Sequence, residues 1–188
     1  MTHAITTYGP YQDVWERGEE YLEMAFSPSS RPVHDRWRNN GLSADFLADY
    51  FGTFIPKDLP ESHHNKVKGA VAYIANELLE NAMKFTAGNA PQPISLILNL
   101  SESDLRFSLT NCITSEAANA LASFLDEFTS MDAGDFFVQQ MERNIESGSE
   151  SGLGFATMIT DHNATLAWQL QPLSEDSTLL NTQVVIEL

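Results

Sequence analysis

With 188 residues, 43% of them hydrophobic, the chain has the size of one ordinary domain and enough apolar residues to bury a proper core. Its 26 acidic residues against 10 basic ones give a formal charge of −16, which argues against a nucleic-acid groove, since such grooves depend on clustered Lys and Arg. A lone cysteine, Cys112, supplies neither a disulfide framework nor a thiolate zinc site and is expected in the core.

No apolar run approaches the roughly 20 residues needed to cross a bilayer. The opening segment Met1 to Tyr8 lacks the basic-then-apolar pattern of a signal peptide. No membrane contact and a cytoplasmic location are therefore expected. From Tyr11 to Phe26 the pattern is mixed, and Val14, Trp15, Tyr21, Leu22, Met24 and Phe26 fit a short helix or strand before the breaker at Pro28 to Pro32. Ser43 reads as the N-cap of a helix whose packing face is Phe46, Leu47, Tyr50, Phe51 and Phe54, with Pro56 ending it. A Pro- and His-rich loop from Lys57 to Asn65 precedes a long helix from about Lys66 to Thr86. On a loop, the adjacent His63 and His64 would point apart, which disfavours a metal site there.

Ile94 to Leu100 and Leu105 to Thr110 read as two strands joined by the polar turn Ser101 to Asp104, with Leu105, Phe107 and Leu109 facing one way. Helices are expected from Ser115 through Phe128, from Asp132 to about Ile145, and from about Leu153 to His162. The alternating segments Thr165 to Leu170 and Thr182 to Leu188 close the chain in a sheet. Helices segregated against a mixed, largely antiparallel sheet make a two-layer α+β sandwich. Trp15, Trp37 and Trp168 read as packing anchors.

Two segments carry chemistry. In Glu77-Leu-Leu-Glu-Asn81-Ala-Met-Lys84-Phe85, rotation of about 100° per residue brings positions 77, 81 and 84 within about 60° of one another. Val71, Ile74, Leu78, Ala82 and Phe85 form an apolar stripe about a quarter turn away, so the helix can pack and still present a carboxylate, a carboxamide and an ammonium. A solvated helix face has the same composition. In the second, Gly148-Ser-Glu-Ser-Gly152-Leu153-Gly154-Phe155, glycines at a helix start leave backbone N–H groups and the positive dipole end open to an anion. This is neither a Walker loop, since no Gly-Lys-Ser/Thr follows, nor a dinucleotide fingerprint, since no strand precedes it.

Taken together, the two segments resemble the GHKL ATPase superfamily, the Bergerat fold of histidine-kinase catalytic domains, gyrase, Hsp90 and the anti-sigma-factor serine kinases. Glu77 to Phe85 matches the family's N-box, E-L-x-x-N-A-x-K-[FHY], and Ser151 to Phe155 with Gly148 matches its G2 box. Thr182 stands where the family has a Gly-Thr before its last strand. The resemblance covers about residues 40–188, giving an ATP-binding domain over 41–188 with 1–40 as an N-terminal extension packed on it. It is greatest to stand-alone bacterial kinases of partner-switching modules, the SiaB-like branch among them, which phosphorylate a Ser or Thr on a small STAS-type antagonist.

The resemblance implies ATP and Mg²⁺ as ligands, with Asn81 on the metal, Glu77 as general base and Lys84 neutralising phosphate charge. Gly148, Gly152, Leu153 and Gly154 would line the triphosphate, with Thr182 and Asn111 also at the nucleotide. It allows a homodimer and places the ATP lid at residues 115–145, which would otherwise pack as core. The family's G1 box, D-x-G-x-G, is altered: Asn111 replaces the Asp that accepts from the adenine amine, and both glycines are absent. Asn111 can accept through its oxygen or donate through its NH₂. Besides the kinase, the altered box supports a binding module that docks on a partner with weak or no nucleotide turnover, and an ATPase without protein substrate is a third reading.

Overall fold

The computed structural model of the chain describes residues 4–13, 20–27, 37–88, 90, 92–147 and 152–188. Val14, Trp15, the breaker at 28–32 and Gly148 lie outside the described residues, as does the side chain of Trp37. In chain order the elements are β1 (Thr6–Tyr8), β2 (Glu20–Phe26), α1 (Trp37–Gly52), α2 (Glu61–Phe85), β3 (Ile94–Leu100), β4 (Asp104–Thr114), α3 (Ser115–Phe128), α4 (Ala133–Ser147), α5 (Gly154–His162), β5 (Thr165–Pro172) and β6 (Ser177–Glu187).

The strands form one six-stranded sheet in the order β1-β5-β6-β4-β3-β2. Every described pairing is antiparallel, in keeping with the largely antiparallel sheet expected. Helices pack on one face, giving the α+β sandwich read from the sequence. Alternation decides which face is covered: Leu105, Phe107 and Leu109 of β4 are buried with Leu96 and Leu98 of β3 and Val184 and Ile186 of β6. On the opposite face, Gln12 N donates to Gln183 Oε1 at 3.1 Å, and Gln183 Nε2 donates to the Gln12 carbonyl at 2.7 Å. The segment after β1 is thereby tied across β6.

Helix α2 is set by packing. Val67, Ala70, Val71, Ile74, Ala75, Leu78, Leu79, Ala82 and Met83 are buried on it, and each fully buried Leu or Ile contributes about 1.5–3 kcal/mol. That far exceeds the tenths of a kcal/mol that separate helix propensities. Phe85, assigned from periodicity to the apolar stripe, is 48% exposed, with Lys84 Nζ over its ring at 5.2 Å.

Helix boundaries are where expectation and structure part. Helix α1 begins at Trp37, so Ser43 is an interior residue and not an N-cap. With that phase Ala44, Leu47, Ala48 and Phe51 face the core, while Phe46 and Phe54 turn outward. Helix α2 starts at Glu61 after Pro60, whose φ of −58° suits entry to a helix, so His63 and His64 are helical and not in a loop. His64 Nε2 bonds the Pro56 carbonyl at 3.0 Å, which holds the preceding turn to the helix. Thr114 is the N-cap of α3, accepting from Ala117 N at 3.1 Å. Helices α3 and α4 pack as core through Leu125, Phe128 and Phe136. Strand β4 runs to Thr114, so Asn111 and Cys112 lie within it, and β6 begins at Ser177, which places Thr182 mid-strand.

Candidate functional site

The polar edge of α2 opens onto a cavity of about 590 Å³ between α2, α3, the start of α5 and the inner face of β4, β6 and β5. Glu77, Asn81, Lys84, Asn111, Gly152, Gly154 and Thr182 all line it. Leu153 stands at the N-cap of α5 and does not line the cavity. Residues far apart in sequence meet here because antiparallel register aligns them: Leu109 pairs with Thr182, and Asn111 with Leu180. Paired residues point to the same face, so the Thr182 and Asn111 side chains share the floor.

Glu77 is half-buried, and burial, followed by the nearby Glu80, raises its pKa above the ordinary carboxylate value. Asn76 Nδ2 donates to Glu80 Oε1 at 2.8 Å, and Glu80 also lines the cavity. A carboxylate made more basic by desolvation is suited to accept a proton. Gly154 explains how Glu77 fits: a Cβ at position 154 would lie 3.1 Å from Glu77 Cδ and closer still to Oε2. The helix N-terminus and the carboxylate approach each other because residue 154 has no side chain.

Gly152 has a second reason to be glycine. Its φ of +84° lies in the left-handed region, and a Cβ there would meet Gln140 Nε2 at 3.1 Å and Phe124 Cε2 at 3.3 Å. Among the described residues no side chain caps α5, and the first amides of such a helix start are the groups that suit an anion. The ring of Tyr73, one turn before Glu77, lies 5.0 Å from that of His162, which packs α5 against α2. Burial raises the Tyr73 pKa and lowers that of His162.

At the inner end, Asn111 is 2% exposed and its Nδ2 donates to Thr86 Oγ1 at 3.0 Å. Its Oδ1 is buried without a partner. Asn81 is half-buried, and its carboxamide has no hydrogen-bond partner among the described residues. Among the described residues no three His, Cys, Asp or Glu gather as a metal cage. The Asn81 oxygen fits Mg²⁺ of the kind that keeps waters and is held by one or two protein groups together with substrate phosphates.

Sequence reasoning missed Trp168, Thr86 and the aromatic wall. Trp168, read as a packing anchor, lines the cavity and packs edge-on against Phe155 at 5.2 Å and Phe128 at 5.8 Å. Only the β5–β6 register, which pairs Trp168 with Thr182, brings it there.

No family model and no curated protein sequence matches the chain. Among solved structures it is similar to a chain of the SiaB–SiaC complex from Pseudomonas aeruginosa, with a TM-score of 0.57 and 14% identity over 88% of this chain and 89% of that one. No helix among the described residues is long and apolar enough to cross a membrane. At 14% identity the likeness is one of fold, an α+β sandwich of an antiparallel sheet with helices on one face.

Proposed function

We propose that the protein binds ATP with Mg²⁺ and acts as a serine/threonine kinase on a small STAS-type antagonist within a cytoplasmic bacterial partner-switching module. The observation that carries this reading is the single cavity onto which Glu77, Asn81, Lys84, Asn111, Gly152, Gly154 and Thr182 converge. Phosphoryl transfer asks mainly for positioning and charge neutralisation, and this arrangement offers both. Asn81 would hold the metal through its carboxamide oxygen, and the metal would supply neutralisation of charge on the phosphate oxygens. The amides of Gly152 to Gly154 and the exposed Lys84 face the same negative charge. Glu77 takes the proton from the substrate hydroxyl as that oxygen bonds to the γ-phosphorus; the bond from phosphorus to the departing ADP oxygen breaks, and the proton stays on the carboxyl. Its raised pKa favours this role. A protein partner is supported by the matched fold, whose solved example is a SiaB–SiaC complex.

Asn111 motivates a second reading. Counted from Asn111, the G1 glycines fall at Ile113, buried in the continuous strand β4, and at Ser115, the first residue of α3, which fits a docking module with weak turnover. Incubation with γ-labelled ATP, Mg²⁺ and a STAS-type protein encoded nearby separates the two. Label on the partner, lost with Glu77→Ala, supports the kinase. Partner binding that persists in Asn81→Ala, with no label transferred by the wild type, supports the docking module.

A further inference from the structure

Helix α4 has a face that neither the core nor the cavity uses. Rotation of about 100° per residue places Val138, Met141 and Ile145 within about 60° of one another, along about 10 Å of helix. All three are exposed, by 58%, 43% and 78%. Phe136, about half a turn away, is buried in the core, and Gln140, about a third of a turn away, lines the cavity. Single apolar residues scattered over a surface are ordinary, whereas three aligned at i, i+3 and i+7 match the anchors by which an amphipathic helix enters an apolar groove. The helix itself does not ask for them. Glutamine or lysine favours a helix at least as well as Val or Ile does.

Charge identifies what covers the stripe. Asp135 and Glu142 are exposed along its flank, within about 90° of its centre. Helices α3 and α4 carry three acidic residues each, and their one basic residue, Arg143, is bound to Glu127 at 2.5 Å. A second copy of the chain, at a formal charge of −16, would bring like charge to this contact. The complementary surface is an apolar groove with Lys or Arg at its rim. Such a partner would also be steered to this acidic side before contact.

We infer that the stripe of Val138, Met141 and Ile145 is the docking surface for the protein partner, which seats it in an apolar groove rimmed by basic side chains. This rests on the partner-switching reading above and deepens it by giving the partner a place to bind. Gln140, on the same helix, stands beside Gly152 at the cavity. A partner held on the outer face of α4 thus lies about one helix diameter, roughly 10 Å, from the cavity wall, a distance that a hydroxyl on a short loop can span.

The test compares wild type with two variants of the full chain. Val138→Gln, Met141→Gln and Ile145→Gln together remove the apolar stripe and keep the charge and the helix, while Asp135→Asn with Glu142→Gln removes the acids and keeps the stripe. Binding to the STAS-type protein encoded nearby is measured by calorimetry and stopped flow, and transfer with γ-labelled ATP and Mg²⁺. The triple variant should bind the partner at least tenfold more weakly and raise its KM as much, with kcat and the Kd for ATP unchanged. The acid-free variant should associate about threefold more slowly at low salt, with a flatter salt dependence. Partner binding unchanged in both variants, beside labelling by the wild type, overturns the docking surface and leaves the kinase reading standing. Weakened binding by the triple variant, with no label transferred by the wild type, upholds the surface and overturns the kinase. No partner binding by the wild type overturns both. A wild-type dimer that the triple variant dissociates in sedimentation makes the occupant a second copy and overturns the inference.

Discussion

Gly154→Ala isolates the contact between the α5 N-terminus and the proposed base. Gly154 has no positive φ, so alanine meets no backbone strain there and should gain about 0.5–1 kcal/mol from reduced freedom of the unfolded chain. Against this, the new Cβ falls on the Glu77 carboxylate. Overpacking of this kind costs about 1–3 kcal/mol, and the lower end applies because the opposing group is the tip of a flexible, half-buried side chain. Stability should therefore stay within about 1 kcal/mol of wild type. The carboxylate must nonetheless move by the order of an ångström, and a misplacement of that size costs roughly 10²-fold in transfer rate. In a Glu77→Ala background the clash is gone, and Gly154→Ala should become stabilising, giving a coupling of about 1–2 kcal/mol in a double-mutant cycle. Urea denaturation of the four proteins and labelled-phosphate transfer by Gly154→Ala measure these quantities. A full transfer rate in Gly154→Ala, or equal destabilisation with and without the Glu77 side chain, refutes the reasoning.

Gly152→Ala should destabilise by about 1–3 kcal/mol in thermal or urea unfolding, because a left-handed φ is strained for alanine and Gln140 and Phe124 crowd the site. Glu77→Gln should retain ATP binding, read by calorimetry, while transfer falls by roughly 10²–10⁴. The wild-type rate should decline as pH drops through the raised Glu77 pKa, and the variant's pH profile should lack that acidic limb. For stability the sign is opposite to that of a salt-bridged carboxylate. Glu77's contribution is fully present below its unfolded pKa and is lost as pH rises through the higher folded value, so Glu77→Gln should unfold at higher temperature than wild type above that pH. ATP with Mg²⁺ at a hundredfold excess over Kd should stabilise by about 2.7 kcal/mol, a rise of roughly 5–11 °C in Tm, which Asn81→Ala should abolish.

What the sequence discloses follows the range of the forces involved. The core of α2 is legible because Val71, Ile74, Leu78 and Ala82 repeat at helical spacing and are buried as that spacing requires. The β3–β4 hairpin is legible for a similar reason: strict alternation and a polar turn are local. Phe85 shows the limit, since periodicity gives a face but not where the neighbouring elements end. The α1 start eluded local reasoning because Ser43 has cap chemistry, yet burial of Ala44, Leu47, Ala48 and Phe51 set the phase of a helix already under way. At the site, the stripe of Glu77, Asn81 and Lys84 lies within one helix and could be read directly. Trp168 could not, because its place beside Thr182 depends on a pairing between strands that no spacing encodes.

The order of the strands constrains how the nascent chain completes its sheet. Both edges are built from the N-terminal segment, but β2 waits only for β3, while β1 pairs with β5, Thr6 against Leu170. At a synthesis rate of 5–20 residues per second, β1 remains without its partner for roughly ten to thirty seconds on the ribosome. An open edge held that long invites pairing with another chain. The strand limits this hazard by its own composition: it is three residues long, and its two threonines are exposed even in the finished sheet. The last strand to dock is thus the one with the least to lose by waiting.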